Sequence, residues 1–181
     1  MAERNTPAQE SLQAALVSLM LTKPIARIGV KELCSAAHVA RSTFYTYYDN
    51  TDELLCEVEN AHIAEIARMN ETVSDPHLTA PADMRFFDAT VAYVQANERD
   101  FKALLVRDPS ARFIETWKTE IKHHLRRRRQ ASGAAPLSKL TEEVAASAVV
   151  SAITFYLQGT VSLTPKDVHT VLSKALSALD S

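Results

Sequence analysis

Three glycines in 181 residues are the tightest constraint on what this chain can become. Sandwiches, barrels and phosphate-cradling loops turn repeatedly through positive φ, which glycine does without steric cost. With glycine only at 29, 133 and 159, the chain lacks those turns, and helices joined by short polar connections remain. Hydrophobic residues at 46% supply a real core, and the length allows one domain or two small ones.

Periodicity and caps place about nine helices. Thr6-Pro7-Ala8-Gln9 puts Thr at N-cap, Pro at N1 and Gln at N3, a capping box. Leu12, Leu16, Leu19 and Met20 follow as one apolar stripe, which Pro24 ends. A short helix is predicted from Val30 to Ala36 with Gly29 at its N-cap, a tight turn at His38-Val39, and another short helix from Ala40 to Thr46. Asn50-Thr51-Asp52-Glu53 starts a fourth helix, with acids in its first turn, that runs to Glu71 or Val73. Ser74 to Pro81 reads as a loop. A fifth helix spans Ala82 to Asn97 with Met84, Phe87, Val91 and Val94 on one face. A short helix from Arg99 to Arg107 stops at Asp108-Pro109, and a long one runs from Ser110 to Arg129. Ala131 to Pro136 is a small-residue linker. The last two helices run from Thr141 to Gln158 and, after a second Thr-Pro cap, from Thr164 to Leu179.

Charge and cysteine usage narrow the class. Net charge is −2, so a whole-chain nucleic-acid coat is excluded but a local basic face is not. Arg4, Lys23, Arg27, Lys31 and Arg41 slightly outweigh the acids of residues 1–50, whereas residues 52–75 are strongly acidic. An anionic partner is therefore met by the N-terminal end. Cys34 and Cys56 form no framework and read as thiols of a reducing compartment. The polar N-terminus lacks the core of a signal peptide. The most apolar stretch, Val144 to Leu157, is broken by Ser147, Ser151 and Thr154 and falls short of the ~20 residues of a membrane span. A cytoplasmic protein with no membrane partner is expected.

Two short helices on a tight turn, braced by a longer helix on each side, form a helix-turn-helix unit. Leu16, Leu19, Ile28, Val30, Leu33, Ala37, Val39 and Phe44 would be its core. Arg41, Ser42, Thr43, Tyr45 and Tyr47 are left outward on the third helix: donors and flat rings on a slim rod suited to a major groove about 12 Å wide.

The stretch from Ile28 to Leu55, with its Ser-Thr-Phe-Tyr core, the aromatic pair Tyr47-Tyr48 and the Asp-Glu-Leu-Leu helix start, resembles the DNA-binding domain of TetR/AcrR-type transcriptional regulators. Three positions depart from that pattern: His38 where Gly is usual, Gly29 where Thr or Ser commonly caps, and Thr51 where Lys often reaches a phosphate. The resemblance implies that Arg41, Ser42 and Thr43 reach base edges, Arg41 pairing with a guanine. It implies that Tyr45, Tyr47 and Tyr48 touch or flank backbone phosphates, and that Lys31 and Thr51 contact phosphate, with Lys23 and Arg27 adding charge. For Tyr48, core packing is an equal reading from the residues alone.

The resemblance further implies a DNA-binding domain over residues 1–51 and a helical domain over residues 52–181 that binds a small-molecule effector and dimerises. Val94 to Leu105 is similar to effector domains of the subgroup that includes dihydroxyacetone-kinase regulators. Phe87, Phe101, Phe113, Trp117 and Tyr156 are candidate pocket walls, each with plain core packing as the simpler role. The helix from Thr141 to Leu157 is apolar or small all round, so a second subunit is its natural cover, with the helix from Thr164 to Leu179 completing a bundle across a two-fold axis; a deep central helix in a monomer is the other reading. His62 near Glu59, and His123-His124, lack further converging ligands, so no metal or other cofactor is expected. Arg126 to Arg129 ends a helix where cations are favoured, a solvated terminus or an anion site.

The expectation is thus an all-α homodimeric regulator that binds double-stranded DNA at a pseudo-palindromic operator and represses until an effector releases it. The alternative is an effector-independent activator, or a helical interaction protein recruiting a protein partner. No nucleophile–base pair or cofactor loop is legible, so an enzyme is not expected.

Overall fold

The computed structural model describes residues 5–73 and 85–179, and among these every regular element is helical. In chain order they are α1 (Pro7–Met20), a 3-10 turn (Ile25–Arg27), α2 (Val30–Ala37), α3 (Arg41–Tyr47), α4 (Thr51–Val73), α5 (Arg85–Ala96), α6 (Glu98–Lys102), a π turn (Ala103–Arg107), α7 (Ala111–Ser132), α8 (Lys139–Gln158) and α9 (Pro165–Leu179). The expected loop from Ser74 to Pro81, and the fifth-helix start with Met84, lie outside the described residues.

Local chemistry sets the helix ends. Thr6 and Gln9 form the capping box of α1. Thr164 and Asp167 do the same for α9: Asp167 accepts from the Thr164 N–H at 2.7 Å, and its own N–H is capped by the Thr164 hydroxyl. Ser138 accepts from Thr141 N–H, so α8 begins at Lys139, two residues before its sequence-predicted start. At the C-terminal ends the chain needs left-handed residues. Gly133 (φ 69) and Gly159 (φ 65) supply two of them, closing α7 and α8. Ala131 and Ser132 tolerate helix, so α7 continues through the predicted linker until Gly133 stops it. The third left-handed end falls on His38, at φ 55 and ψ 37. There Val39 N–H donates to Cys34 C=O at 3.0 Å and His38 N–H to Ser35 C=O at 3.3 Å, a Schellman closure of α2.

Packing divides the chain into two compact units. The first comprises Met1–His62 and Arg99–Ser110, and the second Ile63–Glu98 and Ala111–Ser181. The limit of the first unit falls inside α4, where Leu54, Leu55 and Val58 are buried with it, and the chain returns to that unit with residues 99–110.

In the first unit the core holds Leu12, Leu16, Met20, Ile28, Leu33, Phe44 and Leu54, with Phe101, Leu104 and Leu105 from the returning segment. Leu19, Val30 and Val39 are only half-buried. Side chains bolt the return in place. Arg99 donates to the Ser18 hydroxyl at 2.7 Å, and Arg107 to the Leu21 carbonyl at 2.9 Å. Asp108 accepts from Ile25 N–H at 2.7 Å, and the Ser110 hydroxyl donates to the buried Glu59 at 2.5 Å. His62 meets Asp100 at 3.1 Å.

In the second unit α8 packs on α7 and α9, and α5 on α9. The core is Phe86, Phe87, Val91, Val94, Phe113, Trp117, Ile121, Ala145, Ala146, Val149, Val150, Ile153 and Leu157, with Val168 and Leu172 from α9. At 20 residues α8 is long and apolar enough to cross a membrane, which corrects the shorter reading from sequence; 39% of its 18-residue apolar window is buried inside this unit. Its uncovered side carries Leu140, Val144 and Phe155, and α9 leaves Val171 exposed.

An ion ladder joins α7 to α8. Lys118 and Lys122 both bind Glu143, and Arg126 binds the buried Glu142 through two contacts of 2.7 and 2.5 Å. Arg129 Nε donates to the Ala135 carbonyl at 2.6 Å. Arg126 and Arg129 are therefore structural clamps rather than a purely solvated terminus.

Two outcomes follow from these contacts. His38 is exposed and left-handed, a conformation that costs a side-chain-bearing residue about 1–2 kcal/mol. His38→Gly should stabilise the chain by about 0.5–1 kcal/mol after glycine's own entropy cost. Urea denaturation reads this as a raised midpoint, and a lowered one would mean that the imidazole holds the turn. The second concerns acid. Hydrogen bonds from Lys118 and Lys122 hold the Glu143 carboxyl down to about 2, and the hydrogen bond from Arg126 holds Glu142 low against its burial. A carboxyl depressed in the folded state stabilises fully above its unfolded pKa of ~4.3 and ceases to do so as pH falls through the folded value. The thermal midpoints of the wild-type chain and Glu143→Gln should differ near pH ~6 and converge toward pH ~2–3. A gap independent of pH would deny the ladder this role.

Candidate nucleic-acid interface

The site is built from α2, α3 and the turn between them. α3 is seven residues long and has one inward anchor: Phe44, with 0% exposure. Its ring meets Tyr45 edge-on at 5.4 Å and 85°, and Tyr48 at 5.6 Å. Helical spacing then decides the rest. Arg41, Ser42, Tyr45 and Thr46 are exposed, whereas Thr43 and Tyr47 are half-buried. Thr46 shares the outward face with Ser42, whose carbonyl accepts from its hydroxyl at 3.1 Å. The sequence reading omitted Thr46, although its position four residues after Ser42 was the available signal.

Arg41 and Tyr45, one turn apart, touch. Arg41 Nη2 lies 3.5 Å from the Tyr45 hydroxyl, and its guanidinium carbon 6.0 Å from the ring centroid. The same positive charge is felt at Cys34, where burial pushes the thiol pKa up and Arg41 opposes it. Lys31 is exposed on α2. Lys23 is engaged by Glu32, which reduces the charge it can offer a partner. At the start of α4 Thr51 is half-buried, Asn50 accepts from Glu53 N–H at 3.0 Å, and Glu53 reaches back to Asp49 N–H at 2.7 Å.

Tyr48 takes the core position that the residues left as one of two equal readings. It is 3% exposed, and its hydroxyl faces Gln9, Gln13 and Glu57 rather than solvent. Burial pushes its pKa up to about 12, as it must when a phenolate would be formed away from water. As the extended residue after α3 (φ −140, ψ 137), Tyr48 turns its ring beneath the helix instead of along its outer face. Of its two readings, burial supports packing.

The five candidate pocket residues are distributed over both units. Phe87, Phe113 and Trp117 are fully buried in the second unit, with Phe113 and Trp117 at 5.7 Å. Tyr156 is half-buried there, and its hydroxyl accepts from Gln95 at 3.0 Å. Phe101 is buried in the first unit, 4.9 Å from the His62 ring. Sequence reasoning missed the buried Asn70, Thr90 and Glu142 of the second unit; His124, weighed there as a ligand, is buried and stacked on Phe86 at 4.1 Å. Single buried polar residues on apolar faces carry no sequence signal.

The sequence matches no family model and no curated protein. The fold does match solved structures. A TetR transcriptional regulator from Streptococcus agalactiae matches with a TM-score of 0.70 at 16% identity, over 93% of each chain. A TetR-like transcriptional regulator from Rhodococcus sp. RHA1 matches with a TM-score of 0.71 at 14% identity, over 97% of each chain. The dihydroxyacetone kinase operon activator DhaS matches with a TM-score of 0.66 at 17% identity, over 94% of each chain. The chain has the fold of the TetR-type transcriptional regulators.

Proposed function

We propose that the chain is a sequence-specific DNA-binding transcriptional regulator acting as a homodimer. One observation carries the reading: α3 turns a guanidinium, hydroxyls and a phenol outward while Phe44 seals its back. A short helix so anchored can enter a major groove, with Arg41 donating both edges of its fork to guanine O6 and N7. Ser42 and Thr43 lie beside it, and Tyr45, Tyr47, Lys31 and Thr51 flank it as phosphate contacts. Two such helices, ~34–36 Å apart, would read a pseudo-palindromic operator.

The dimer reading rests on the apolar side of α8, where Leu140 is 73% exposed, and on Val171 of α9 at 61%. Large apolar side chains left at the surface of adjoining helices mark an association face. The effector reading places a small molecule in the second unit, with Phe87, Phe113, Trp117 and Tyr156 as walls. Binding would favour one arrangement of the dimer, and α4, whose residues belong to both units, would carry the change to the operator-reading heads. Repression released by the effector is the mode proposed, in a cytoplasmic protein.

A second reading has its own support. Lys23 is spent on Glu32, which leaves a thin positive face, and one fold neighbour is described as an operon activator. In that reading the chain activates without an effector or recruits a protein partner.

Selection from a random duplex pool separates the readings. A DNA reader enriches an inverted repeat, and its affinity falls steeply as salt rises. Arg41→Ala should cost about 1–3 kcal/mol of discrimination at a single base pair per half-site. No enrichment by a folded wild-type chain would favour the interaction protein. Separately, Val144→Glu with Phe155→Glu should shift the chain to monomer in analytical ultracentrifugation while far-UV dichroism stays helical. A dimer unaffected by both charges would place the interface elsewhere.

A further inference from the structure

We infer that Tyr45 is a positioning residue for Arg41, so that reading a base and gripping a phosphate on α3 are one coupled act; this rests on the DNA-binding reading above. An exposed arginine samples many rotamers, and ordering it on a base edge works against affinity. Here the ordering is partly done beforehand. Phe44 is sealed in the core and holds the Tyr45 ring edge-on at 5.4 Å. That ring in turn lies 6.0 Å under the Arg41 guanidinium carbon, with the hydroxyl 3.5 Å from Nη2. α3 itself, Arg-Ser-Thr-Phe-Tyr-Thr-Tyr, contains no acid that would draw the fork aside.

The donor and acceptor inventory makes the coupling specific. A phenol has one proton and two lone pairs. Tyr45 can accept from Arg41 Nη2 and still donate its own proton to a phosphate oxygen. Arg41 has five N–H donors and keeps enough of them for a bidentate guanine contact after giving one to Tyr45. A phosphate contact by Tyr45 alone would strengthen every sequence equally. A Tyr45 that also orients Arg41 must alter discrimination.

The test is a double-mutant cycle on duplexes. The wild-type chain first selects a duplex from a random pool, and Arg41→Ala identifies the base pair whose discrimination it loses. Affinities are then measured for wild type, Tyr45→Phe, Arg41→Ala and the double variant, on the selected duplex and on one changed at that base pair. Far-UV dichroism confirms folding of each. The inference requires Tyr45→Phe to reduce discrimination at that base pair by about 3-fold or more, and to leave it unchanged when Arg41 is already Ala. Tyr45→Ala, which also removes the ring, should reduce it further. A Tyr45→Phe variant that weakens both duplexes by the same factor, with or without Arg41, would overturn the inference and leave the DNA reading standing. A wild-type chain that enriches no duplex would overturn both.

Discussion

Burial of the Phe44 ring is the interaction on which the outward chemistry depends. α3 is two turns long, too short to hold a helix by its own hydrogen bonds. Its N-cap, Ala40, offers no side-chain bond, and its first turn carries no acid. What keeps the helix in place is one large ring in a core of Leu16, Ile28, Leu33 and Leu54, worth about 3–5 kcal/mol against truncation. With that ring fixed, 100° per residue puts Ser42 and Thr46 on the far side of the helix, while Arg41 is exposed at its N-terminal end. The inward Tyr48 adds a second fixed point just past the helix end.

Much of this was legible in the sequence because it is local. Thr6 with Gln9, Thr164 ahead of Asp167, and Gly29 before Val30 are cap chemistry within four residues. So is the His38 turn, where His stands at a position usually held by Gly and the backbone is left-handed at φ 55. Fold class followed from glycine scarcity and from apolar stripes spaced three and four apart.

What stayed hidden was non-local or lay just outside a helix. For Tyr48 the residues left surface and core equal, and what decides is that α3 has ended and the backbone is extended there. Phe101 lies far along the chain, yet its segment returns to the first unit. Arg126 looks like one of four surface arginines, and nothing near it in sequence reveals Glu142, sixteen residues on. Periodicity predicts which face of a helix is apolar; it is silent about what arrives to meet that face.

The returning segment has a consequence for how such a chain can be inherited. The unit that carries α3 is closed by Phe101, Leu104 and Leu105, held through Arg99, Arg107 and Asp108. No single contiguous stretch of gene encodes it. Recombination that grafted a foreign front end onto this chain before α5 would bring a new reading helix but keep the old plug. The head of this chain can therefore be exchanged intact only together with residues 99–110 that close it.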